Sequence, residues 1–145
     1  MSIENDIRKH YVRAKTFCKL EDFHAANRNL TTAELTALRH GIRLPEEYYS
    51  LKRTVNELGV KEYTESAIQQ VKRGNFDAAD DDLVIAEYIA SEHDINLPEG
   101  YESLKRTVKK LGVKKYIESP NQQADQARAY FLHRFKNIWN LQDKN

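Results

Sequence analysis

Two stretches of this 145-residue chain carry the same polar set at the same spacing: Ser50, Lys52, Arg53 and Thr54, then Ser103, Lys105, Arg106 and Thr107. Lys61 follows the first set, and Lys109, Lys110, Lys114 and Lys115 accompany the second. Hydroxyl, ammonium and guanidinium groups are the donors that phosphate oxygens and base edges accept from. Repetition of such a set on a polar helix face, where packing imposes no choice, points to contact with a nucleic acid. A second constellation has the opposite sign. Asp77, Asp80, Asp81, Asp82 and Glu87 fall within residues 75–94, a stretch with seven acidic residues and no Lys or Arg. Part of that charge complements a helix start, and the whole could equally form a face for a protein partner. The acids lack the alternating ligands, turn glycine and distal Glu of a calcium loop.

Catalytic signatures are missing from the sequence. There is no Gly-rich phosphate loop, no His-Glu-x-x-His and no Gly-x-Ser-x-Gly. Cys18 continues an apolar stripe formed by Ile3, Ile7, Tyr11 and Ala14, so it reads as core rather than nucleophile. His40 and His93 fall at expected helix C-termini, where a cation complements the dipole. His133, with Arg128, Arg134 and Lys136, reads as a solvated polar face with auxiliary phosphate contact as the sharper alternative. No catalytic residue, cofactor or metal is expected, and the chain reads as non-enzymatic.

The elements that must position these residues are defined by an internal repeat. Residues 42–66 and 95–119 align at an offset of 53 with 18 of 25 positions identical, and 22–41 matches 75–94 at 8 of 20. The expected organisation is all-α: an N-terminal helix (1–21), repeat 1 (22–74), repeat 2 (75–119) and a C-terminal helix (120–145), the end helices capping a two-copy stack. Ser2 is a candidate N-cap. Thr31 or Thr32 should cap a helix from Ala33 to His40, and Pro45 and Pro98 should sit at first helical positions. From there Tyr48, Leu51, Val55 and Leu58, like Tyr101, Leu104, Val108 and Leu111, line one apolar face. Gly59 and Gly112 should end those helices in a left-handed conformation, with Val60 and Val113 folding back. Further helices are expected at about 61–73, 77–93 and 121–141. The last carries an aromatic stripe of Tyr130, Phe131, Phe135 and Trp139, a core element or homodimer seam.

The pattern Thr54-Val55-x-x-Leu58-Gly59-Val60-Lys61-x-Tyr63, preceded by Leu44-Pro45-x-x-Tyr48, resembles the small helical repeats associated with homing endonucleases, over 42–66 and 95–119. Leu58 and Leu111 stand where that family has an aromatic, and Val60 and Val113 where it has Ser. The resemblance implies helix-turn-helix-like DNA-binding units.

Composition sets the outer bounds. Charged residues make up 31% and net charge is only +1, but residues 75–94 sum to −7 and 95–119 to +3. Mean hydropathy is −0.77, and no apolar run approaches a membrane span. One cysteine and a start with no apolar signal core predict a cytoplasmic setting. Two readings remain. One is a DNA-binding accessory or regulatory protein using two equivalent basic helices. The other is a small protein-binding adaptor or inhibitor, of phage or mobile-element type, acting through the acidic 77–94 helix.

Overall fold

The computed structural model describes residues 2–118. Five helices follow one another: α1 (Ile3–Lys19), α2 (Phe23–Arg39), α3 (Glu46–Lys72), α4 (Phe76–Glu92) and α5 (Tyr101–Glu118). Among the described residues there is no strand, so the all-α expectation holds, and no helix is long and apolar enough to cross a membrane. The helix expected at 121–141 and its aromatic stripe lie outside the described residues.

Local chemistry explains where the first helices start. The Ser2 hydroxyl accepts from the Asn5 N–H at 3.2 Å, and the Asp22 carboxylate accepts from the Ala25 N–H at 3.0 Å. Asp22, rather than Thr31 or Thr32, is therefore the cap of α2. Both threonines lie in mid-helix and return their hydroxyls to the carbonyls of Asn27 and Arg28. One apolar stripe keeps α2 continuous through them: Phe23, Ala26, Leu30, Ala33 and Ala37 are all buried. Pro45 directly precedes α3, whereas Pro98 precedes α5 by three residues, with Gly100 turned to φ 82° between them.

The expected glycine stops are absent. α3 runs without interruption through Gly59 for 27 residues, about 40 Å, and α5 runs through Gly112. Neither glycine has positive φ; Gly41, Gly74 and Gly100 do. Val60 and Val113 are consequently core residues at 2% and 1% exposure, not fold-back contacts. Gly59 is present for space. A Cβ there would lie 2.6 Å from Cε2 of Phe23, and that ring is buried and edge-packed against His24 and Tyr63.

By its contacts the chain divides into two compact units. Among the described residues, the first is 2–63 with Ile85–Leu97, and the second is Thr64–Val84 with 98–118, so α3 and α4 each contribute to both. In the first unit α1 packs on α2. Ile7, Ala14, the α2 stripe, Tyr48, Val55, Val60, Ile89 and Ala90 form its core, with Leu51 and Leu58 half-buried against it. In the second unit Ala67, Ala79, Leu83, Tyr101, Val108 and Val113 are buried.

Several local geometries recur at the 53-residue offset. Tyr48 donates its hydroxyl to the Leu30 carbonyl at 2.8 Å, and Tyr101 donates to the Leu83 carbonyl at 2.9 Å. Ile42 N–H bonds the Ala37 carbonyl and Ile95 N–H the Ala90 carbonyl, both at 2.9 Å. Left-handed residues fall at Glu21 and Gly74, and again at Gly41 and Asp94.

The glycine geometry gives a signed prediction. Helix propensity alone would make Gly59→Ala stabilising by about 1 kcal/mol. The Phe23 ring should reverse that sign, to a loss of roughly 1–3 kcal/mol. In urea titrations, Gly59→Ala combined with Phe23→Leu should lose less stability than the two single losses added together.

Candidate nucleic-acid interface

The repeated polar set has different fates in its two copies. On α3, Lys52 is half-buried and ion-paired with Glu34 of α2. Arg53 is exposed, but its guanidinium reaches the Glu57 carboxylate at 3.2 Å and the Asp94 carbonyl at 3.3 Å. Thr54 returns its hydroxyl to the Ser50 carbonyl at 3.1 Å. Lys61 lies 3.5 Å from the Glu21 carboxylate. Ser50 is exposed. The first copy of the set is thus substantially occupied within its own unit, and polar contacts inside that unit give a reason for Lys52 and Arg53.

α5 presents the second copy. Ser103, Arg106, Thr107, Lys110 and Lys114 are exposed, while Lys105 is half-buried as Lys52 is. At 100° per residue Arg106, Lys110 and Lys114 span 80° of the helix circumference, with Ser103 and Thr107 beside them. Thr107 donates to the Ser103 carbonyl at 2.9 Å and Arg106 Nε to the Glu102 carbonyl at 3.3 Å, both within the helix. The matching α3 row reads Arg53, Glu57, Lys61. Glu57 is matched by Lys110, so a row of two cations and one carboxylate on α3 corresponds to a row of three cations on α5.

Two cationic candidates are not where the sequence places them. Lys109 is buried at 8% exposure, because it falls on the inner side of α5 next to Val108. Lys115 is exposed but donates to the Gly74 carbonyl at 2.9 Å, with its ammonium 5.7 Å from the Phe76 ring centre. It closes the corner before α4, beside a cleft of about 240 Å³ that Gly112 also lines.

The acidic stretch is also divided. Asp80, expected on the surface, is buried at 3% exposure, since it follows Ala79 on the inner face of α4. Asp82 accepts from the Ser66 hydroxyl at 2.6 Å. Asp77 and Asp81 are exposed, and Glu87 is half-buried. A continuous anionic face of five residues is not formed.

Cys18 packs against the first core, and burial pushes its thiol above the usual cysteine range. Among the described residues no three His, Cys, Asp or Glu side chains are placed to hold a metal. Sequence reasoning did not foresee a cleft of about 440 Å³ in the first unit. Arg8, Arg43, Glu4 and Glu47 line it over Ile7, Tyr11, Ile42 and Leu44. Its residues come from α1 and the segment leading into α3, so no local spacing could have revealed it. Comparison with known proteins finds no counterpart: no family model, curated protein or solved structure matches the chain.

The buried Tyr48 hydroxyl at the start of α3, bonded to the Leu30 carbonyl, links stability to alkaline pH. Burial, followed by the negative charge of Glu34, pushes the Tyr48 phenol far above the usual tyrosine range. Folded Tyr48 keeps its proton where the unfolded chain, at about pH 10, loses it. Its contribution is therefore complete below about pH 10 and is lost progressively as pH rises above that. Tyr48→Phe should cost about 1 kcal/mol at pH 7. It should also show a shallower loss of stability than the wild type between pH 9 and 11 in urea titrations.

Proposed function

We propose that this chain is a non-enzymatic nucleic-acid-binding protein that makes its backbone contacts through the exposed face of α5. One observation carries the reading: Arg106, Lys110 and Lys114 recur every fourth residue on one exposed face, with no carboxylate at those positions. Such a row is suited to successive phosphates, and the Ser103 hydroxyl adds a donor beside it. The α3 face, neutralised by Glu57 and Glu21, plays a supporting part rather than acting as an equivalent second contact. The resemblance to homing-endonuclease-associated repeats points the same way, and DNA is the favoured polymer.

The proposed architecture is two copies of a three-helix unit that share α3. α1 and residues 56–72 of α3 lie at the 53-residue offset, as do α2 and α4. Ala14 and Ala67 are fully buried at matched positions, and so are the paired tyrosines. A regulatory or accessory role in the cytoplasm, of phage or mobile-element type, suits a small binding module whose charge is confined to single helix faces.

Salt-dependent binding to a random-sequence duplex tests the proposal. Arg106→Ala, Lys110→Ala and Lys114→Ala together should weaken binding strongly. They should also flatten the slope of log affinity against log salt by about 2.7, or 0.9 per lost phosphate contact. Arg53→Ala with Lys61→Ala should change that slope by less than about 1. An equal effect from both variants would contradict the assignment to α5. No retention on duplex at low salt would remove it altogether.

A further inference from the structure

α2 and α4 each turn one buried stripe inward and leave the opposite side of the helix in solvent. On α2 the exposed side carries Arg28, Leu35, Leu38 and Arg39; on α4 it carries Asp81, Val84, Ile85, Tyr88 and Glu92. The apolar members are large and open: Leu35 50%, Leu38 78%, Val84 47% and Tyr88 65% exposed. Apolar groups of this size gathered between charges are the usual mark of a protein contact surface.

The charges on the two faces are opposite and equally spaced. Arg28 and Arg39 are eleven residues apart, as are Asp81 and Glu92, which is about 16 Å along either helix. Each pair brackets its apolar centre. Laid side by side, the helices bring both arginines onto both carboxylates in either direction, parallel or antiparallel. None of these four groups makes an ion pair among the described residues.

We infer that the occupant of these faces is a second copy of this chain, with α2 of one protomer docked on α4 of the next. The two surfaces differ, so the contact is heterologous, and association either closes into a ring or extends into an open series. Apolar contact through Leu35, Leu38, Val84, Ile85 and Tyr88 supplies the attraction. The bracketing charges set register and exclude pairing of two α2 faces or two α4 faces, since like charges would meet. The inference is independent of nucleic-acid binding, because neither face includes a residue of the α5 row.

Sedimentation velocity on the full chain over a concentration series is the test. Two charge-reversed variants are needed, Arg28→Glu with Arg39→Glu and Asp81→Arg with Glu92→Arg. All four positions are exposed, so each variant should remain helical, which circular dichroism checks. The wild type should show average mass rising with concentration, less steeply at about 0.5 M salt. Each variant alone should stay monomeric. An equimolar mixture of the two should associate, because each restores the sign the other lacks. A control on α1 with the same change in net charge as the α2 variant, Arg13→Glu with Lys15→Glu, should associate as the wild type does. A monomeric wild type at every concentration would overturn the inference. So would variants that associate alone, a mixture that stays monomeric, or loss of association in the α1 control.

Discussion

Tyr48 places its hydroxyl on the carbonyl of Leu30, in the middle of α2, with both residues buried. A phenol taken out of water must find an acceptor, and few positions on an α2 backbone can supply one. The bond therefore fixes where the first turn of α3 meets α2, along the helix as well as across it. One turn later Lys52 can reach Glu34, and further along α3 Gly59 comes under the ring of Phe23. Tyr101 and the Leu83 carbonyl set the start of α5 against α4 in the same way. The polar rows of both helices are aimed by these two buried hydroxyls.

Residues that repeat for packing were legible from the sequence. Tyr48, Val55, Tyr101 and Val108 are buried as their spacing requires, and the leucines between them are half-buried. Gly59 was misread because two physical causes select glycine at a helix position, left-handed backbone and lack of room. Only the position of Phe23, thirty-six residues away in sequence, distinguishes them. Thr31 and Thr32 were misread for a related reason. A hydroxyl that can cap a helix can also bond back to its own helix, and the apolar stripe of α2 decides the outcome. On the candidate site, periodicity placed Ser103, Arg106 and Thr107 outside, as they are, but the lysines that follow were not assigned to a face, and Lys109 is buried while Lys110 and Lys114 are exposed. It could not reveal that Glu34, Glu57 and Glu21 neutralise the first copy, since two of those carboxylates come from other parts of the chain.

Charge in this chain is arranged by helix rather than by copy. The α5 row is cationic where the α3 row is balanced, and the exposed side of α4 is anionic where that of α2 is cationic. At the 53-residue offset Ala14 and Ala67, Ala26 and Ala79, Leu30 and Leu83, Tyr48 and Tyr101, and Val55 and Val108 are buried and identical, while the exposed charges differ. A near-zero net charge is thus the sum of faces with separate proposed tasks, and it says little about any one of them.

The corners before α2 and α4, and those after them, hold left-handed residues in exchanged form. Glu21 and Asp94 adopt φ of 57° and 52° at positions where the other copy has Gly74 and Gly41. Each non-glycine bears a backbone penalty of about 1 kcal/mol or more that its counterpart avoids. The chain thereby contains its own two-row alignment, in which either copy shows a residue the other position can accept. Under the proposed two-copy architecture, exchanging residues between matched positions is a route to a consensus version of the unit that needs no sequence from any other protein.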